Sequence, residues 1–244
     1  MSTRTFLQAA LNGNRDHPAT PKRPEEIARE AKAAVAAGAQ SLHFHPYAPD
    51  GRETFDAAHC AAAIRAVRAA CPGISLSLST SATIEPDPAI RHARIAAWTD
   101  WPDLVTANQG EAGIVELCQL LLSRGVAIEA GNLCLDDARA FIVSGLAPQC
   151  HRVMIEPLDT DIGAAVTHAR AMSRLILDAG IALQQVHHGE GIASWAVNRR
   201  ALAEGHAIRT GLEDVDVLPD GRPAQGNGEL VAAAAALIRA AEGN

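Results

Sequence analysis

Two histidines close a short apolar run in SLHFHPY, residues 41–47. On an extended strand alternate side chains share a face, so His43 and His45 point together while Phe44 points away. Two imidazoles at that spacing can reach one divalent ion at nitrogen–metal distances of about 2.0–2.1 Å. A catalytic site also needs a third donor and an open coordination position. Without them the pair is only two polar residues at a strand end.

A third donor is available in RTGLEDV, residues 209–215. Arg209, Gly211 and Glu213 have the same parity, so Arg209 and Glu213 can face one interior. Asp214 joins them only if the strand has already turned into its loop. Two histidines and a carboxylate would leave room for a substrate oxygen; the bland alternative is a structural Arg209–Glu213 ion pair.

The elements that must bring these segments together are punctuated by glycine. Ala-rich helical stretches stop at Gly38, Gly125, Gly145, Gly180 and Gly205, and each stop passes within a few residues into an apolar run. Glycine suits that position because it takes the left-handed conformation without a Cβ clash. PEEIAREAKAAVAA places Ile27, Ala31, Ala34 and Val35 on one stripe and opens with Pro24 and two acids, a helix-start pattern. Similar helices are predicted near 57–70, 88–98, 111–123, 136–144, 162–179, 192–203 and 229–241. Strands are predicted over 5–11, 41–45, 74–79, 104–107, 126–130, 151–156, 182–187 and 207–211.

Strict alternation of strand and helix implies parallel strands with right-handed crossovers. Eight such units in 244 residues predict one domain, residues 1–244, folded as a single (β/α)8 TIM barrel. The rival, an open doubly wound sheet, lacks its glycine-rich dinucleotide turn: strand 1 runs into NGNRDHP. In a barrel the chemistry collects at the C-terminal strand ends. Those ends carry Asn12 and Arg15, the two histidines, Ser79 and Thr80, Asn108 and Glu111, Glu129, Glu156, then His187, His188 and Glu190, and finally Arg209, Glu213 and Asp214. The opposite ends carry simple residues, an asymmetry that favours an enzyme.

Bulk properties narrow the classes. The net charge of −7, with no basic run, argues against a nucleic-acid surface. No stretch of 18 apolar residues predicts a membrane span, and the N-terminus is too polar after Leu11 for a secretory signal. With aromatics at only 3%, the core must come from Ala, Leu, Ile and Val. Five scattered cysteines without a CxxC pair predict buried free thiols in a reducing compartment, hence a cytoplasmic protein.

Read together, ALNGNR, LHFHP, LSTSA, IEAG and RTGLEDV resemble the β-keto acid cleavage enzymes over nearly the whole chain. The resemblance implies a zinc-dependent barrel that converts a β-keto acid and acetyl-CoA into acetoacetate and a new CoA thioester. It implies His43, His45 and Glu213 as zinc ligands, and Asp214 as the proton-abstracting base beside Arg209 and Ser79. A metal that chelates keto and carboxylate oxygens polarises the carbonyl, an arginine keeps the base ionised, and Ser79 can donate to a developing oxyanion. Asn12, Arg15, Thr80, Asn108, Glu129, His188 and Glu190 are expected around the substrate. Glu129 has a second possible role, orienting a metal ligand. A homo-oligomer is expected.

Two departures stand out. The family's Ser-Thr-Gly after strand 3 is Ser79–Thr80–Ser81 here. The acid that holds the distal amino group of 3-keto-5-aminohexanoate is replaced by Arg15. A free guanidinium there would repel an ammonium and favour neutral, hydroxyl-bearing or anionic tails; its alternative is a neighbouring acid or a CoA phosphate. Of the rival functions, an amidohydrolase-like barrel would want the histidine pair on strand 1 and further histidines on strands 5 and 6. A non-catalytic binding barrel would have no reason to keep the three-ligand set.

Overall fold

The computed structural model describes residues 5–243. Helix α1 (Pro24–Ala37) starts with proline, and the Glu26 carboxylate accepts the Arg23 N–H at 3.1 Å. It stops at Gly38, whose φ of 119° lets its N–H reach the Ala34 and Val35 carbonyls. Ile27, Ala31 and Ala34 of the expected stripe are buried, and Val35 is partly so. Helix α2 (Ala57–Ala70) has its first N–H groups satisfied by the Asp56 carboxylate, worth about 1 kcal/mol.

Strands β1 (Leu7–Ala10), β2 (Ser41–Phe44), β3 (Ser75–Ser79), β4 (Leu104–Asn108), β5 (Ala127–Asn132), β6 (Arg152–Ile155), β7 (Gln185–His187) and β8 (Ala207–Thr210) pair in sequence order, all parallel. The β1–β8 pairing, with Gln8 opposite Arg209, closes the barrel. The protein is a (β/α)8 TIM barrel. Its remaining helices are α3 (Pro88–Ala96), α4 (Ile114–Ser123), α5 (Leu135–Ser144), α6 (Ile162–Asp178), α7 (Ala193–Ala203) and α8 (Asn227–Glu242), with a short 3-10 turn at Ala147–Gln149.

The main apolar core lies between strands and helices and is dominated by Ala, Leu, Ile and Val. Inside the barrel a small cluster of Met154, Val186 and Ala207 packs with Phe6. Above it sits a polar layer in place of the branched residues common in such interiors. There the buried Glu129 carboxylate accepts from Gln8 Nε2 at 2.8 Å, from Thr106 Oγ1 at 3.1 Å and from Ser77 Oγ, and faces Arg152 Nε at 3.4 Å. The Arg152 guanidinium stacks 4.1 Å over the Phe6 ring. Burial alone raises the Glu129 pKa, but Arg152 and the Ser77 hydroxyl bring it below its ordinary value.

Cys60, Cys71, Cys118 and Cys150 are buried free thiols as expected, whereas Cys134 is exposed because it precedes α5 on the open C-terminal face. Among the described residues no helix is long and apolar enough to cross a membrane.

Candidate metal centre

His43 lies on β2 and His45 just beyond its end, both buried. Glu213 reaches them from the turn after β8, because β1 alone separates β2 from β8. Its Oε2 is 3.5 Å from His43 Nε2 and its Oε1 is 3.4 Å from His45 Nε2. One donor atom from each of the three residues lies within 4.8 Å of the others.

Polar contacts decide which nitrogen each ring offers. Ser77 and Thr106 spend their hydroxyl protons on Glu129, so their oxygens are left to accept from His43 Nδ1 at 3.1 and 3.3 Å. His43 Nε2 then carries the free lone pair. His45 turns Nδ1 to Glu53 Oε1, an ion-pair contact of 2.6 Å that lies outside hydrogen-bond geometry, and so presents Nε2. His45 Nε2 and Glu213 Oε2 are buried and make no hydrogen bond. Orphaned donor atoms converging on one point fit a divalent ion bound by two nitrogens and a carboxylate.

Electrostatics separates the two rings. Burial, with Arg209 adding to it, pushes His43 down to about 3 against the pull of Glu213. Burial also opposes protonation of His45, but the Glu213 and Glu53 carboxylates outweigh it and raise its pKa to about 10.

Glu213 sits beside Asp214, and Arg209 holds both. Its Nη2 is 2.7 Å from Glu213 Oε1 and 2.7 Å from Asp214 Oδ1. Asp214 also lies 3.2 Å from His188 Nδ1, whose Nε2 is 3.2 Å from Glu156. Burial would raise the Asp214 pKa, but Arg209 and then His188 lower it, so the carboxylate is ionised at neutral pH. Glu156 and Asp214, together with Arg209 and both histidines, line a cavity of about 300 Å³.

Two glycines let the acids arrive there. β8 ends at Thr210, so Asp214 can share the face of Glu213, as the sequence required. Gly211 has φ +156°, and a Cβ on it would lie 1.9 Å from the Ala10 carbonyl oxygen. Gly13 has φ +103°, and a Cβ there would meet Glu213 Cγ at 2.7 Å. Gly13→Ala is therefore expected to push Glu213 off its position, weakening metal binding about tenfold or more. The unfavourable φ adds a stability loss of about 1–2 kcal/mol. A chelator-competition titration and a thermal melt measure the two effects.

A family model described as beta-keto acid cleavage enzyme matches residues 4–188 and 162–244 of this chain. The chain belongs to that family.

Two curated relatives carry the name 3-keto-5-aminohexanoate cleavage enzyme. The one from Fusobacterium nucleatum subsp. nucleatum is 28% identical, covering 95% of this chain and 90% of its own. The one from Acetoanaerobium sticklandii is 24% identical, covering 93% and 88%. Among solved structures, apo ObcA superposes with a TM-score of 0.67 at 18% identity. That match covers 91% of this chain but 61% of ObcA, so the chain spans about three-fifths of its length. At such identity the likeness is one of fold. By its family and its curated relatives, the chain is a beta-keto acid cleavage enzyme.

The other expected site residues divide into two groups. Ser79, Asn108 and Glu190 line the cavity with the donor set. Thr80, Asn12, Glu129, His188 and Arg15 do not line it. Thr80 donates to the Thr106 carbonyl at 2.8 Å. Asn12 clamps the His45 backbone, accepting its N–H at 2.8 Å and donating to its carbonyl at 2.9 Å. Glu129 is bonded to Ser77 and Thr106 beneath His43. His188 is buried between two carboxylates, a position set by the turn after β7.

Arg15 does not present a free fork. Its Nη2 pairs with Glu190 and donates to the Asp214 carbonyl at 3.1 Å, while Nε donates to the Glu213 carbonyl at 3.2 Å. The neighbouring-acid alternative is the one observed. Sequence reading missed Glu53 altogether; the acid in GRETF is far from any strand end in sequence, and only the fold of its loop returns it to His45.

Proposed function

We propose that the protein holds a zinc ion on His43, His45 and Glu213 and uses acetyl-CoA as acyl donor. A β-keto acid R–CO–CH2–COO⁻ and acetyl-CoA would give acetoacetate and R–CO–CoA, which conserves every atom. The observation that carries this reading is the convergence of donor atoms from three residues, two of them buried without a hydrogen bond, beside an ionised Asp214 in one cavity. ObcA has been captured with a C4-CoA adduct and oxalate, which supports CoA chemistry on this fold. A bound zinc ion would polarise the keto group and make the α-hydrogens more acidic.

The chain's own residues supply the rest. Asp214 accepts an α-hydrogen as a proton. Its depressed pKa keeps it available but makes it a weak base, so it relies on an acidified substrate. Arg209 fixes its orientation from one side and His188 from the other. Ser79, which also accepts the Ser81 N–H at 3.3 Å, stands ready to donate to a developing oxyanion, with Asn108 on the same wall.

The acids that line the cavity outside the donor set and Asp214 are each paired: Glu53 with His45, Glu156 with His188, Glu190 with Arg15. The remaining lining includes Ser81, Thr83, Leu133 and Leu158. This wall favours neutral or hydroxyl-bearing tails over an ammonium. A panel of β-keto acids, including 3-keto-5-aminohexanoate, assayed with acetyl-CoA for acetoacetate and the new thioester tests both points. Thioester from neutral substrates is expected. No thioester from any member would overturn the reaction, and preferred cleavage of the amino acid would overturn the substrate preference.

A further inference from the structure

The two histidines are oriented by different means. His43 rests on hydroxyls that belong to the strands, with Glu129 behind them. His45 has no such frame. Its backbone is clamped by Asn12, and its ring meets one polar partner on the Nδ1 side, the Glu53 carboxylate.

Glu53 is brought there by a small hairpin in the β2–α2 loop. Thr54 N–H donates to the Pro46 carbonyl at 2.9 Å, Ala48 N–H donates to the Arg52 carbonyl at 2.8 Å, and Tyr47 bridges to Glu53. The Tyr47 hydroxyl donates to the Gly13 carbonyl, tying the hairpin to the turn that abuts Glu213. The adjacent Arg52 turns outward to Asp50. Among the described residues no lysine or arginine pairs with Glu53, although its side chain is only 12% exposed. A buried carboxylate without a cationic partner is costly. Here its charge can be balanced only through His45 and whatever His45 binds.

We propose that Glu53 is a positioning residue for the metal. It holds the hydrogen of His45 on Nδ1 and fixes the ring plane, so that the Nε2 lone pair is committed to the ion. This inference rests on the zinc reading above. It gives the loop after β2 a role in metal retention that the barrel strands do not supply. A carboxylate behind a ligating imidazole raises its basicity, and losing such a partner typically weakens metal binding about 10–100-fold.

The test is zinc affinity by competition with a chromophoric chelator, for wild type, Glu53→Gln, Glu53→Ala and Arg52→Ala. Visible absorption of the cobalt-loaded proteins reports the ligand field directly. Both Glu53 variants are expected to lose about 10–100-fold in zinc affinity and to shift the cobalt bands. Arg52→Ala alters the same hairpin without touching His45 and should match wild type. Glu53→Gln keeps the shape of the side chain, so it carries the test if the alanine variant does not fold. Wild-type zinc affinity and an unshifted cobalt spectrum in folded Glu53 variants would overturn the role of Glu53 alone. A wild-type protein that binds no zinc would overturn the metal reading and this inference together.

Discussion

His45→Ala is expected to lose bound zinc and all measurable acyl transfer while the barrel stays folded. The ring supplies one of three donors, and its Nε2 has no other bonding partner, so nothing in the site replaces it. Removing Lewis-acid stabilisation worth several kcal/mol corresponds to a loss of at least about 10³-fold in kcat. The strands beneath the site are held by the Glu129 array, which does not include His45. Metal analysis of the purified variant, with turnover and circular dichroism alongside, checks all three parts. Full zinc occupancy in His45→Ala would mean that the ion sits elsewhere.

Asp214→Asn separates holding the metal from moving the proton. The amide keeps the size of the side chain and can still contact His188 and Arg209. Glu213 stays in place through its own 2.7 Å contact with Arg209. Zinc and β-keto acid should therefore bind as in wild type, while turnover falls about 10²–10⁴-fold, the range of a lost general base. The sharper readout is exchange of the substrate α-hydrogens with deuterium in the absence of acetyl-CoA, which should cease. Undiminished exchange would pass the base role to Glu190, the cavity acid that pairs with Arg15.

Much of this architecture was legible because its signals are local. Gly38 and the stripe of α1 declare a helix and its stop within a few residues, and α2 (Ala57–Ala70) has the predicted bounds. Strand ends were less sharp. β7 begins at Gln185 instead of residue 182: of Ala182–Gln184 only the Gln184 carbonyl joins the neighbouring strand, accepting the Val153 N–H at 2.9 Å. Parity is enough to put the two histidines on one face; Glu213, which lies in the turn beyond β8, is singled out as a ligand only by the family resemblance.

Loop-borne contacts were not legible. Arg15 reads as a free guanidinium until the turn after β7 brings Glu190 against it. Glu53 carries no signal until its hairpin folds back on His45. His188 reads as a cavity residue until both of its nitrogens are seen to face carboxylates. Each depends on where a loop goes in space, which periodicity does not encode.

The polar layer beneath His43 has a consequence for how this barrel can be improved. Replacing a buried charge pair such as Glu129 and Arg152 with well-packed apolar side chains is often neutral or stabilising in proteins. Here the same exchange would strip Ser77 and Thr106 of the acceptor that turns their oxygens toward His43. A search for hardier variants that scores only thermal tolerance would thus be drawn toward barrels that stand longer but have let go of a ligand. Robustness and chemistry draw on the same few side chains: those that would make the centre of this barrel oily cannot also hold the hydroxyls that face His43.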